Sequence, residues 1–299
     1  MLILRAAELG MCFGVRDALD VIEAVPNPTD VTIHGELVHN QEVLRDLDRR
    51  GFAHSNEDAR PVPSTPVVLV TAHGISDRER DRLRQAGKQL IDTTCPLVQK
   101  AHAAAQQLQR EGYRVIVFGK RDHVEVRGII EDLERPIVVG SPADVASWPD
   151  SKLGVVCQTT TQSEVAASLL ALVRAQNPHA SVRFADTICS PTKARIEALT
   201  DLLPRIDALV VIGGHNSNNT KQLVRTAEAH GVPTLHVENA AELNAEWFAG
   251  HSVVGLTAGT STLRQTIDEV HAALVRLDGA VRASPPQVRQ RLQGRAPSE

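Results

Sequence analysis

Three cysteines of this 299-residue chain, Cys12, Cys95 and Cys189, each stand where a strand-like run meets a helix-like run. A polar loop follows each at nearly the same distance: His39 comes 27 residues after Cys12, His123 comes 28 after Cys95, and Ser217 comes 28 after Cys189. A second polar loop follows in each stretch, with His73 61 residues on, Thr159 64 on and Ser261 72 on. This spacing reads as one unit written three times. Open α/β units carry ligand-binding residues at the carboxyl ends of their strands. Three soft ligands and six polar loops therefore converge if the units pack around a common axis, which is the composition of a metal cluster beside an anion pocket.

The donor set limits the metal chemistry. A 4Fe-4S cube usually takes about four thiolates, so three leave one iron open as a Lewis acid for a substrate oxygen. A zinc ion on three cysteines and one histidine is the competing assignment. Pro96 follows Cys95 directly and Pro191 lies two residues after Cys189. Both mark helix N-termini, where a missing N–H costs nothing and the helix dipole favours thiolate over thiol. Cys157, inside LGVVCQTT, has no counterpart in the other stretches and reads as a core residue.

On the pocket side are His39 in ELVHN, His73 in TAHG, His123 in RDHVEV, Ser217 and Asn219 in GGHNSNNTK and Ser261 in TAGTST. Imidazolium, hydroxyl, amide and helix N-terminal N–H groups together bind a multiply charged oxyanion without Lys or Arg. A diphosphate is the natural guest. Glu125, two residues after His123, is the only carboxylate of these loops expected on the pocket side. It suits proton donation if its neighbours hold the proton at neutral pH, and Thr159 is the hydroxyl to relay it.

The elements that must position these groups alternate along the chain. Val/Ile-rich runs (VTIHG, PVVLVTAHG, YRVIVFGK, RPIVVG, LGVVCQ, DALVVIGG, PTLHV and HSVVGLTAG) are each followed by a helical pattern. That alternation means α/β architecture with mostly parallel sheets. Helices are expected at about 14–24, 40–50, 76–86, 97–111, 163–176, 191–203, 218–230 and 261–276. Three similar small units are expected at 1–93, 94–187 and 188–277, with a flexible Pro/Arg/Gln-rich tail at 278–299. Thirty-two Lys and Arg against 36 Asp and Glu leave a formal charge of −4, which offers no basic field to nucleic acid or to a membrane surface. The chain has neither a secretory h-region nor a spanning apolar run. Free thiols in such a sequence fit a reducing, cytoplasmic setting.

Taken together, CFGV at 12–15, ELVHN, TAHG, DTTCPLV at 92–98, HVEV at 123–126, QTT at 158–160, TIC at 187–189, NSNNT at 216–220 and TAGTST resemble the 4-hydroxy-3-methylbut-2-enyl diphosphate reductase family, from about residue 8 to 276. The resemblance implies three α/β domains around a pseudo-threefold axis with a central 4Fe-4S cluster on Cys12, Cys95 and Cys189, one iron being open. It implies diphosphate binding by His39, His73, His123, Ser217, Asn218, Asn219 and Ser261, catalysis by Glu125 with Thr159 and His123, and isopentenyl and dimethylallyl diphosphate as products. The implied partners are an allylic diphosphate substrate and an external one-electron donor such as ferredoxin or flavodoxin. Asn218, Val124 and Leu263 stand where the family usually has serine, proline and proline, so a diverged enzyme for a related allylic diphosphate is one alternative. A non-catalytic iron–sulfur or zinc sensor, or a phosphometabolite-binding protein, is the other.

Overall fold

A computed structural model of the chain describes residues 1–57 and 60–283. The elements of its first half are β1 (Leu2–Arg5), α1 (Phe13–Glu23), β2 (Val31–Ile33), α2 (Gln41–Arg50), β3 (Ala53–His54), β4 (Val67–Val70), α3 (Asp77–Gln85), β5 (Gln89–Asp92) and α4 (Pro96–Arg110). Next come β6 (Arg114–Phe118), α5 (Val124–Glu131), β7 (Ile137–Val139), β8 (Lys152–Cys157), α6 (Ser163–Gln176), β9 (Ser181–Phe184) and α7 (Ser190–Leu202). The last are β10 (Ala208–Ile212), α8 (Asn218–Ala229), β11 (Thr234–Val237), β12 (Val253–Ala258) and α9 (Arg264–Ala283). Among the described residues no helix is long and apolar enough to cross a membrane.

The strands form three four-stranded sheets, ordered β3-β2-β4-β5, β7-β6-β8-β9 and β11-β10-β12-β1, and every pairing is parallel. One topology is repeated three times. The first strand of each set lies between the second and third, and a fourth closes the edge. The fourth strand of the third set is β1, which pairs Leu2 with Val253 and Arg5 with Leu256. The expected first unit of 1–93 therefore loses its opening strand to the last sheet, and the repeat is a circular permutation: each cysteine follows a fourth strand. The chain divides into two compact units, one of residues 12–193 with the first two sheets, the other of residues 1–11 and 194 onward with the third.

Burial on both faces explains the central strands. The sheet of β6–β9 packs Ala101, Ala105, Leu108, Val126 and Ile129 of α4 and α5 against one face and Ala166, Leu169 and Val173 of α6 against the other. In the second unit α7 and α8 cover one face and α9 the other. Strands buried on both faces read as unbroken Val/Ile runs. The fourth strands LILR, QLID and SVRF are half exposed at the sheet edges and carry no such run. Helix α5 is the one helix absent from the expected set, because VEVRGIIE is rich in β-branched residues that favour strands. Helix α9 runs to Ala283, past the expected start of the tail at 278; the rest of that tail lies outside the described residues.

Candidate active site

The three cysteines enter through helix starts. Cys12 is the N-cap of α1 and Cys95 that of α4, and Cys189 directly precedes α7. All three are free, partly buried thiols within the 12–193 unit. They share one electrostatic neighbourhood: the Cys95 and Cys189 thiols are each raised first by burial, and further by the charges of Cys12 and Glu125. Burial takes Cys189 up to about 11, against hydrogen bonds from Thr192. The expected thiolate preference at helix N-termini is thus reversed at Cys95 and Cys189, where desolvation outweighs the dipole. Among the described residues no group of three or more His, Cys, Asp or Glu is arranged to hold a metal ion. The absence of a side chain at Gly14, in the first turn of α1, lets the Cys95 side chain approach: a Cβ there would sit 2.4 Å from the Cys95 sulfur. Cys157 is fully buried in β8, its thiol pushed up to about 12 by burial.

The three histidines of the same unit come together. The rings of His39 and His73 stack at 4.5 Å, and His123 stands edge-on to both at 5.5 and 5.7 Å. Each leaves the carboxyl end of a strand: His39 after β2, His73 after β4, His123 after β6. His123 caps α5, its Nδ1 accepting the Glu125 N–H at 3.2 Å, which leaves Nε2 as the ring donor. Burial first, then His39, Lys120 and Arg127, bring the His123 ring down to about 3. Burial and the neighbouring rings hold His73 well below its ordinary value too. The expected imidazolium charge is therefore replaced, at His73 and His123, by neutral rings that offer N–H donors. Buried His73 Nδ1 has no hydrogen-bond partner. His39 Nδ1 bonds Glu36 Oε2 at 2.8 Å. Glu36 is a second carboxylate on the pocket side, missed because only the folded turn brings it back onto a ring three residues away.

Glu125 is buried in the first turn of α5. The Thr159 N–H donates to its Oε1 at 2.6 Å and the Thr159 hydroxyl to its Oε2 at 2.9 Å. Both bonds favour the carboxylate, yet burial wins and lifts the carboxyl to about 7. A group that half-titrates at neutral pH is suited to give a proton.

The other unit carries its own donors. Ser217 caps α8, accepting the Thr220 N–H at 3.3 Å. Asn219 accepts the Thr260 N–H at 2.9 Å through Oδ1, which ties the loop after β10 to the loop after β12. Its buried Nδ2 has no partner. Ser261 is buried in the second of these loops. Asn218 is the first residue of α8 and Val124 the first of α5; the latter is the helix position that proline suits best.

Comparisons with known proteins match the chain over most of its length. The LytB protein family model matches residues 3–275. A curated 4-hydroxy-3-methylbut-2-enyl diphosphate reductase of Methylibium petroleiphilum is 37% identical over 275 residues, covering 90% of this chain and 83% of that protein. One of Trichlorobacter lovleyi is 36% identical over 273 residues, covering 90% and 96%. A solved (E)-4-hydroxy-3-methyl-but-2-enyl diphosphate reductase, described as the terminal enzyme of the non-mevalonate pathway, matches with a TM-score of 0.65 at 31% identity, covering 92% of this chain and all of that one. The Plasmodium falciparum E-1-hydroxy-2-methyl-but-2-enyl-4-diphosphate reductase matches with a TM-score of 0.83 at 26% identity, over 95% of this chain and 89% of that one.

Proposed function

The chain belongs to the LytB protein family, and from that premise we propose that it is a 4-hydroxy-3-methylbut-2-enyl diphosphate reductase, which removes the allylic hydroxyl to give isopentenyl and dimethylallyl diphosphate. The observation that carries this reading is Glu125, a buried carboxyl lifted to about 7, gripped by Thr159 and close enough to raise the Cys95 and Cys189 thiols. A proton donor, thiols and a histidine triad in one neighbourhood are what reductive dehydroxylation of an allylic diphosphate needs.

Three cysteines at helix starts, with Cys12 acting electrostatically on both Cys95 and Cys189, support an iron–sulfur reading of this neighbourhood. Cys12, Cys95 and Cys189 would hold a 4Fe-4S cluster with one open iron. When bound, the cluster supplies electrons singly and a Lewis-acid position for the substrate oxygen. The chain's own residues do the remainder. His39, His73 and His123 would line the diphosphate site, with the Nε2–H of His123 as a donor to it. Glu125 gives a proton to the departing hydroxyl, which leaves as water, the Thr159 hydroxyl handing that proton along as its bond to Glu125 reverses; two electrons from the external donor and a second proton, added at one end or the other of the allyl group, complete the two products. Ferredoxin or flavodoxin is the electron donor that suits such a site, in the cytoplasm.

In anaerobic turnover with a reduced viologen dye, Glu125→Gln is expected to keep its iron and lose at least about 100-fold in rate, the usual scale of one acid–base group. Unchanged turnover would remove Glu125 from the reaction.

A further inference from the structure

We infer that the two Asp-Thr-x-Cys segments, 92–95 and 186–189, are duplicate clamps that fix the direction of the cysteine side chain, with Asp92, Thr93, Asp186 and Thr187 as positioning residues. The proposal concerns ligand presentation and rests on the iron–sulfur reading only for what the sulfur holds.

The same bonds recur in both copies. Asp92 Oδ1 accepts the Thr94 N–H at 2.9 Å, and Asp186 Oδ1 accepts the Ile188 N–H at 3.1 Å; each carboxylate closes a tight turn just before the cysteine. The residue two before each cysteine then ties the turn to the last carbonyl of the third strand of its sheet. The Thr93 hydroxyl donates to Val70 O at 2.6 Å. The Thr187 hydroxyl donates to Cys157 O at 2.6 Å and accepts the Cys157 N–H at 2.8 Å. Finally the cysteine N–H itself bonds the loop that carries a pocket residue: Cys95 to Ala72 O at 3.1 Å, next to His73, and Cys189 to Thr159 O at 2.9 Å.

The turn carboxylates are each charge-paired, by unrelated means. Arg80 of α3 reaches Asp92 at 3.0 Å, and Lys193 of α7 reaches Asp186 at 2.5 Å. Repetition alone would have used the same element twice. Before Cys12 the sequence lacks Asp and Thr, yet the tie persists in the backbone: Gly10 N–H donates to Ala258 O at 3.0 Å, the last carbonyl of β12, and Arg195 Nε holds the Gly10 carbonyl at 3.0 Å. Gly10 does this at φ +78°, a left-handed backbone that glycine adopts freely. A tie at this position in all three repeats, made by hydroxyl and backbone together at Thr93, by hydroxyl at Thr187 and by backbone at Gly10, marks the position as the constraint and the threonine hydroxyls as one means of meeting it.

The test is cysteine-resolved alkylation of the full chain before iron loading, read by mass spectrometry as the ratio of Cys189 to Cys12 modification. Thr187→Val keeps the shape and removes the hydroxyl. It is expected to raise the ratio roughly fivefold, the effect of one net hydrogen bond, and Thr187→Ser should restore it. If Thr187→Val does not fold, Thr93→Val serves in its place, read at Cys95, because the Thr93 N–H keeps its own bond to Val70. After anaerobic loading, the valine variant should lose iron to a chelator faster by a similar factor. A ratio that does not move overturns the clamp, whether or not iron binds. A ratio that moves in a chain that takes no iron upholds the clamp and removes the iron–sulfur reading.

Discussion

Glu125 sets the pH behaviour of this site through one balance, burial against two hydrogen bonds from Thr159. With its carboxyl raised from 4.5 to about 7, the native chain holds a proton there that the unfolded chain has released. Ionising it costs the native state, so stability falls as pH rises through that window, by on the order of 3 kcal/mol. Glu125→Gln should abolish that loss. Its melting temperature, compared with the unaltered cluster-free chain, should gain steadily from pH 5 to pH 8; parallel curves would show that the carboxyl is not raised. The lowered histidines His73 and His123 act in the opposite sense, losing stability as pH falls below their ordinary range, but both proteins share them and the difference isolates Glu125. At this scale the sequence was informative for identity and poor for state. Residue types and spacing pick out the histidines and Glu125, whereas the neutral rings, the raised thiols of Cys95 and Cys189 and the Glu36 contact depend on burial and on a turn that spacing alone does not encode.

Helix α1 is held to its place by a residue with no side chain. Alanine is ordinarily better than glycine inside a helix by about 1 kcal/mol, and Gly14 has no unusual backbone angle to excuse it. Its reason is the Cys95 side chain, whose sulfur and Cβ would lie 2.4 and 3.1 Å from an added methyl. Gly14→Ala should therefore destabilise the chain by about 1–3 kcal/mol, the usual cost of overpacking, and displace Cys95. Denaturant unfolding checks the first effect and iron uptake the second; a more stable variant with full iron uptake would mean that the space has no function. Elements were legible where burial is two-sided. The eight Val/Ile runs correspond to β2, β4, β6, β7, β8, β10, β11 and β12, and the Pro96 signal coincides with the start of α4. The missed elements have two causes: edge strands that need no apolar run, and a short helix whose β-branched residues argue for strand while His123 supplies its cap.

The repeat was readable across the whole molecule, but its phase was not. Counting from the N-terminus makes β1 the opening strand of the first unit, whereas pairing makes it the closing strand of the last sheet. Only long-range pairing, between residues about 250 apart in sequence, reveals the permutation. Removing residues 1–6 should consequently expose β12 and leave β4 and β8 untouched. Amide exchange should quicken at 253–256 while the 12–193 unit keeps its protection; uniform loosening would contradict the division into two units. The loop that leads from β1 to Cys12 has no Asp-Thr segment and is secured by Gly10 and Arg195 instead.

The central claim is that Cys12, Cys95 and Cys189 hold an iron–sulfur cluster with one iron free to meet the substrate. Mössbauer spectroscopy of the anaerobically prepared protein, with and without 4-hydroxy-3-methylbut-2-enyl diphosphate, tests it most directly. The account predicts a cubane signal in which a single iron changes its coordination when the diphosphate is added. A spectrum that the substrate leaves unaltered, or a colourless zinc protein with no iron to observe, would contradict it.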